Sequence, residues 1–357
     1  MSNNQIFYQP SNILIGSNDR FYDVFWYGGK NHIVAISSFK DHNENYRITK
    51  IDGIKSNIIG TVIPDQHRHT LIVLFKDLPN ITITNICISN SGNWSQLYVL
   101  SPRLHTTSID NYCISTIIKN ESKYIVPWVD YHVQLGFNKI FIYDNGSSDR
   151  NILIEKLKSW IDAHIVHLID WSFPYILPKS GISGQTTQQN HSIYRLGKVC
   201  KWLALIDVDE FIVPIKHNKI VDMLKPFETM NICAVSLECV WFGCNGMKQI
   251  DENNYLHQMT KRKTTSEGPY KRQKCIVIPS KIDVFSVHMV VSSKAPTHYV
   301  NPWEVAHFNH YIMLSHSAQR KCDHQIYDNV SDTRIIELIK KIKPAVGNFI
   351  CFLGIAS

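Results

Sequence analysis

The sequence predicts two folded units in series: a small all-β, sandwich-like unit over residues 1–105 and an α/β unit with a mostly parallel sheet over residues 106–330. A helix and tail over residues 331–357 follow. Three observations carry that expectation. Up to about residue 105, short β-type runs such as 32–36, 70–75 and 81–84 are broken by Asn, Gly, Ser and Asp clusters at turn-like spacing. From Asn111 onward the rhythm changes to strand, helix, strand. The 357 residues are 44% hydrophobic and only 19% charged, with 8 Trp, 16 Tyr and 15 Phe, which excludes disorder as the main state.

Within the second unit the elements follow one another closely. Residues 112–118 form an apolar strand, and 122–135 have helical period and stop at Gly136. Residues 139–143 are the next strand. A helix over 149–161 places Ile152, Leu153, Leu157 and Trp160 on one stripe. A third strand spans 164–169, a polar-faced helix spans 184–200, and a fourth strand, 202–206, is apolar without alternation and so buried on both sides. Near the end, Ile335, Leu338, Ile339 and Ile342 share one helical face before Pro344. In a parallel, doubly covered sheet ligands sit beyond the carboxyl ends of the strands, so function is expected at 119–121, 144–148 and from Asp207 onward.

The densest chemistry lies at Asp207-Val208-Asp209-Glu210, three carboxylates in four residues between two apolar runs. Carboxylates this close at the end of a buried strand repel one another unless a cation compensates them. In extended chain, Asp207 and Asp209 point the same way, the arrangement a shared hard metal needs. An EF-hand is excluded because Ile212 stands where that loop requires Gly. A second constellation comprises Asn120-Glu121 and the run Tyr143-Asp144-Asn145-Gly146-Ser147-Ser148-Asp149, where a strand delivers a carboxylate and exposed amides into a turn able to hold a base or ribose.

Together these constellations resemble the nucleotide-sugar glycosyltransferases of the GT-A fold, in particular glycosyltransferase family 92 and its relatives in family 2. The matching features are Asn120-Glu121, Tyr131-His132-x-x-Leu135-Gly136, Tyr143-Asp144-Asn145-x-Ser147-x-Asp149, Gln185 to Asn190, and Trp202 through Asp207-x-Asp209-Glu210-Phe211. Weaker matches continue through Trp241-Phe242-Gly243-x-x-Gly246, Lys274-x-Ile276-Val277-x-Pro279 and His310-Tyr311-x-x-x-Ser315, so that residues 108–325 are covered. The resemblance implies a GT-A catalytic domain that moves a hexose, galactose or glucose, from a UDP-sugar to a glycan or other hydroxyl acceptor, with inversion.

It further implies that Asp207 and Asp209 form a metal-binding DxD for Mn²⁺ or Mg²⁺, with His310 ahead of His288, His307 and His316 as another ligand. Asn120, Glu121, Asp144, Asn145, Gln189 and Lys274 are implied in donor binding, Asp144 near the uracil or ribose. Lys274 belongs to a basic cluster with Lys261, Arg262, Lys263, Lys271 and Arg272, and is the member expected at the diphosphate. An inverting enzyme needs a carboxylate base. Glu238, Glu304 and Glu210 are the candidates, and the sequence does not choose among them.

A net charge of +7 suits an anionic small ligand. No nucleic acid is expected as partner, because the aromatic and basic residues form no stacking platform. No apolar run reaches the ~20 residues that cross a bilayer, and the start Met1-Ser2-Asn3-Asn4-Gln5 has no signal-peptide pattern, so a soluble, cytoplasmic protein is expected. Nine scattered cysteines without a Cys-x-x-Cys pair predict small buried hydrophobes rather than a zinc site or disulfides. The reading from a different class is a glycan- or nucleotide-sugar-binding protein whose degenerate GT-A domain does not turn over. Oligomeric state is left open.

Overall fold

The computed structural model describes residues 21–27, 31–38, 44–67, 69–91, 94–101, 111–177, 181–182, 184–267, 271–314 and 327–342. The front of the chain builds seven antiparallel strands, β1 (Asp23–Tyr27), β2 (His32–Ser37), β3 (Tyr46–Ile51), β4 (Ile54–Val62), β5 (Leu71–Phe75), β6 (Asn85–Asn90) and β7 (Ser95–Val99). They join in the order β1-β2-β5-β4-β3-β6-β7. The sheet folds over itself: β4 pairs with β3 through Ile59 and with β5 from Gly60 onward. At Gly60 a Cβ would meet Val73 Cγ1 and Phe75 Cε1 at 2.6 Å each, so only glycine allows β4 to lie this close to the β5 side chains. The two halves enclose one core that includes Val24, Ile33 and Val73 from one side and Tyr46, Ile48 and Ile86 from the other.

The second unit begins as the sequence predicts. Strand β8 (Asn111–Ile118) leads to helix α1 (Ile125–Leu135), β9 (Lys139–Asp144), α2 (Arg150–Asp162) and β10 (Val166–Asp170). A short hairpin of β11 (Ile176–Leu177) and β12 (Gly181–Ile182) precedes α3 (Gly184–Leu196) and β13 (Cys200–Leu205). Helix α1 stops at Gly136, whose φ of 110° is open to glycine, with Phe137 N–H donating to His132 O. Strands β10, β9, β8 and β13 are parallel neighbours in that order.

Beyond β13 the expectation of a mostly parallel sheet fails. The chain continues through β14 (Glu210–Pro214), α4 (Ile220–Leu224), β15 (Ala234–Phe242), α5 (Tyr255–Gln258), β16 (Lys261–Arg262) and β17 (Lys274–Val277). Strand β17 lies antiparallel between β13 and β15. A parallel neighbour needs a crossover of a dozen or more residues, usually a helix. The 28 residues between β13 and β15 (206–233), which include α4, bring those two strands in parallel to each other, and β17 then enters between them in the opposite direction. After β18 (Ile282–Ser286), β19 (Met289–Ser293) and β20 (Thr297–Tyr299), strand β21 (Ala306–Tyr311) runs parallel to β15 and antiparallel to β14. The sheet is therefore mixed.

The last elements, β22 (Val330–Ser331) and α6 (Arg334–Ile342), pack onto the second unit. Strand β22 pairs with β16, and Ile335, Leu338, Ile339 and Ile342 of α6 join the core under α1. On α2, Leu153 and Leu157 are buried as expected but Ile152 is exposed, because the buried stripe runs on to Trp160 and Ile161 instead.

The opposite face of the sheet is covered by α3, the β18–β19 hairpin and the front strands, so Phe25, Val34 and Ile36 share a core with Phe141, Leu203 and Val284. Helix α3 has the polar face expected, and every one of its residues is buried. Several of its polar groups are satisfied internally: Gln188 donates to Ser115 Oγ at 2.7 Å, and Asn190 exchanges hydrogen bonds with the Phe285 backbone at 2.8 and 2.9 Å. The cysteine expectation fails once, since Cys113 and Cys200 on the neighbouring strands β8 and β13 form a disulfide with Cα atoms 5.8 Å apart. Cys233, Cys239, Cys244 and Cys275 are buried and free, as expected, whereas free Cys87 is half-buried. Cys322 and Cys351 lie outside the described residues.

Candidate functional site

The carboxyl end of β13 delivers Asp207, but not in the extended conformation expected. Glu210 N–H donates to Asp207 O at 3.1 Å and Asp207 N–H to Glu210 Oε2 at 2.9 Å, closing residues 207–210 into a turn. The two aspartates therefore have different surroundings. Asp207, a third exposed, accepts from Gln185 Nε2 at 2.6 Å and from Lys274 Nζ at 2.7 Å. Asp209 is buried against His310, with Oδ2 3.2 Å from Nε2.

Register explains how His310 arrives. Strand β21 pairs Glu210 with His310, and β15 pairs Trp241 with His310, so the imidazole stands beside both carboxylates with its ring stacked on Trp241 at 4.2 Å. Its Nδ1 is 3.4 Å from Glu210 Oε1. Asp209, Glu210 and His310 each offer one ligand atom, and these atoms lie within 4.8 Å of one another. Within the group, Asp209 Oδ1 is buried without a hydrogen-bond partner, while His310 Nε2 faces Asp209 Oδ2.

The electrostatics follow from crowding at low dielectric. Burial pushes Glu210 up to about 7; Lys274 and His310 oppose that shift, while Asp207 and Asp209 add to it. Burial also raises Glu121, with Asp209, Asp149 and Asp207 repelling its charge, to about 8. For His310, burial works against the charged form, but Asp209 outweighs it and the net shift is upward. For Asp209, burial would raise the carboxyl, and His310 and Lys274 bring it below its ordinary value. Burial likewise disfavours the Lys274 cation, but Asp207 and Glu210 raise it above the ordinary value.

Asp144, at the end of β9, is wholly buried, paired with Arg150, and accepts from Ser147 N–H at 2.9 Å. Asn145 donates to the carbonyls of Trp171 and Phe173 at 2.8 and 2.7 Å. Asn120, at φ 58°, accepts from Ser148 N–H at 2.8 Å, and Ser147 Oγ accepts from Asn120 N–H at 2.9 Å. All three residues shape the 144–148 turn. Gln189 lies one helical turn after Gln185, its Nε2 3.4 Å from Val287 O and its buried Oε1 without a partner.

The structure thus gathers Glu121, Asp207, Asp209, Glu210, Lys274 and His310. Glu238 and Glu304 are not brought in. Along β15, Leu237, Cys239 and Trp241 face the cluster while Glu238 points to the other side and accepts from Ser266 Oγ at 2.5 Å. Glu304 is exposed in the turn before β21, six residues ahead of His310, with about 13 Å of strand from Ala306 to His310 between them. His307 bonds Pro302 O, His288 bonds Gln273 O, and burial depresses each to about 4. His316 lies outside the described residues.

Arg150 was missed as a participant, and Gln185, named in the Gln185 to Asn190 match, was given no role of its own. Only position could have signalled them, one in a glutamine-rich helix entering the carboxyl edge and one just after the turn. Among the basic cluster, Arg262 pairs with Asp332, Lys263 pairs with Glu267 and Arg272 stacks on Trp241.

The model of glycosyltransferase family 92 matches residues 111–343. A glycosyltransferase family 92 protein of Ricinus communis is 28% identical over 194 residues, 53% of this chain and 32% of that protein. A galactan beta-1,4-galactosyltransferase of Arabidopsis thaliana is 22% identical over 255 residues, 69% of this chain and 48% of that protein. The chain spans about a third of the length of the family 92 proteins it matches. Among solved structures, that of S. aureus TarS 1-349 has a TM-score of 0.34 at 10% identity over 55% of this chain and 60% of that one, a likeness too slight to place this fold.

Proposed function

The chain belongs to glycosyltransferase family 92, and from that premise we propose that it transfers a hexose from a UDP-sugar to a hydroxyl of a glycan acceptor, with a divalent cation and with inversion, on a GT-A framework. The observation that carries the reading is the buried Asp209 Oδ1, without a hydrogen-bond partner beside Glu210 and His310 at the mouth of the parallel strands. Leaving such an atom unpaired costs about 1–3 kcal/mol, a cost that a cation bound there removes.

Asp209, Glu210 and His310 fit a hard divalent ion such as Mn²⁺ or Mg²⁺ by donor type and by spacing. Bound there, the ion would supply Lewis-acid stabilisation of the charge that develops on the departing diphosphate. Trp241 fixes the plane of the His310 ring by stacking. Gln185 and Lys274 hold Asp207 at the opening, and the Lys274 ammonium, one hydrogen bond away, is placed to turn toward phosphate oxygens. The 144–148 turn, braced by Asp144, Asn145 and Asn120, presents its backbone to the nucleoside.

Galactose as the transferred sugar leans on the names of two relatives, the galactan beta-1,4-galactosyltransferase above and a beta-1,4-galactosyltransferase of Caenorhabditis elegans. A panel of UDP-sugars, read by melting temperature with and without Mn²⁺, tests the reading. One donor at a hundred times its Kd should stabilise the fold by about 2.7 kcal/mol and, with acceptor, release UDP. Stabilisation without UDP release would favour the non-catalytic binding protein, and no shift with any donor would remove both readings.

A further inference from the structure

The front β unit reaches the nucleotide end of the second unit along two separate routes. In the first, Asp23 of β1 is wholly buried, its Oδ1 accepting from Val24 N–H at 2.8 Å and Ser101 Oγ at 2.7 Å. Its Oδ2 lies 2.9 Å from His191 Nε2, and His191 Nδ1 lies 2.9 Å from the Tyr143 hydroxyl. Burial depresses His191, so the ring is neutral. The carboxylate can only accept, which places the proton on Nε2 and makes Nδ1 the acceptor for Tyr143 O–H. Tyr143 directly precedes Asp144. The buried Arg195 guanidinium, lying over the Phe25 ring, supplies countercharge to Asp23.

In the second route Tyr22 stacks on Phe173, with ring centres 4.0 Å apart and planes 8° from parallel. The Phe173 carbonyl holds Asn145 Nδ2. Trp171 joins the routes: its ring lies 4.5 Å from His191 and 5.3 Å from Tyr143, and its carbonyl takes the other hydrogen bond of Asn145. No residue of either route needs to touch a ligand.

We propose that the front β unit is a fixed part of the donor site: Asp23 through His191 and Tyr143, and Tyr22 through Phe173, are positioning residues for the 144–148 turn, so that nucleotide affinity is set partly from β1. This rests on the reading that the turn holds the nucleoside. It gives the front unit a role different from that of a separately mobile glycan-recognition module. The buried pairs fix the turn to both α3 and β1, and a displacement of about 1 Å at a binding element is enough to cost tenfold or more.

The test uses the full chain with Asp23→Ala, Asp23→Asn, Tyr22→Ala and a control, Ile48→Val, in the front unit's own core. UDP affinity in Mn²⁺ is read by calorimetry and turn order by hydrogen exchange of peptides covering 141–149. Asp23→Ala and Tyr22→Ala should each weaken UDP about tenfold and speed exchange at 144–148. Asp23→Asn, which can keep the hydrogen bonds with the His191 proton moved to Nδ1, should restore most of the affinity. Ile48→Val, costing about 1 kcal/mol, should change neither readout. Unchanged exchange and affinity in Tyr22→Ala and Asp23→Ala, or an equal change in Ile48→Val, overturns the proposal. If Asp23→Ala does not fold, Tyr22→Ala and Asp23→Asn decide it. If the wild-type chain binds no UDP, the functional reading fails while the exchange comparison still decides this inference.

Discussion

Gly184, the first residue of α3, offers a perturbation whose direction opposes the usual expectation. Glycine to alanine inside a helix ordinarily stabilises by about 1 kcal/mol. Here the new Cβ would stand 2.5 Å from Tyr175 Cα and 2.8 and 2.9 Å from the carbonyl oxygens of Pro174 and Tyr175. These are backbone atoms, unable to rotate aside. Ordinary contact begins near 3.4 Å, so the helix start or the 174–175 segment must move by about 1 Å. Overpacking of this kind costs about 1–3 kcal/mol, enough to cancel the propensity gain and leave Gly184→Ala less stable than wild type by up to about 2 kcal/mol.

The same shift would also be felt at the site. Gln185, the next residue, donates to Asp207 at 2.6 Å and accepts from Tyr175 O–H at 3.1 Å. Moving one side by about 1 Å stretches these bonds beyond useful length, and misplacement on that scale costs up to about a hundredfold in turnover. Urea denaturation gives the stability change and UDP release the activity. A Gly184→Ala protein more stable than wild type with full activity would refute the packing argument and the role given to Gln185.

Further expectations concern charge, covalent linkage and ring stacking. Asp332 pairs with Arg262 and Arg334, which together hold its carboxyl far below the ordinary range although burial works the other way. Its folded pKa is depressed, so its contribution is complete above the unfolded value of about 3.9 and is lost as pH falls below that. Asp332→Asn should therefore cost about 1–2 kcal/mol at neutral pH after solvent screening at Arg334 is allowed for, and progressively less as pH falls from about 4 toward the depressed folded value; equal losses at neutral and at acid pH in denaturation curves would contradict the pairing. The Cys113–Cys200 disulfide closes a separation of 87 residues, worth about 4–5 kcal/mol in the chain-entropy account. The double serine variant should fall by up to that amount, and alkylation with mass analysis should find both thiols blocked in the native protein. Trp241→Leu should weaken Mn²⁺ binding about tenfold with little change in secondary structure, by freeing the His310 ring; equal Mn²⁺ affinity would remove the stacking role.

The strand-helix rhythm from Asn111 to Leu205 was legible because β8, β9 and β10 are each followed by a helix long enough to show its own period. The reversal at β17 was not, since nothing in Lys274–Val277 records which way its neighbours run. Position marked the 207–210 carboxylates, but their conformation depended on Lys274 and His310, 67 and 101 residues away from Asp207 and Asp209. The polar face of helix α3 was legible but its burial was not, since the front sheet and the β18–β19 hairpin that fold over it are distant in sequence. Strand parity turns Glu238 away from the cluster, a one-residue matter that approximate strand ends cannot settle.

The proposed function depends most on a cation binding at Asp209, Glu210 and His310. Titrating Mn²⁺ into the metal-free chain, with free ion followed by its paramagnetic resonance signal, should reveal one bound ion per chain, and Asp209→Asn should abolish that binding while circular dichroism shows the fold retained. No Mn²⁺ bound by the wild-type chain, with or without UDP, or equal binding by Asp209→Asn, would contradict the account.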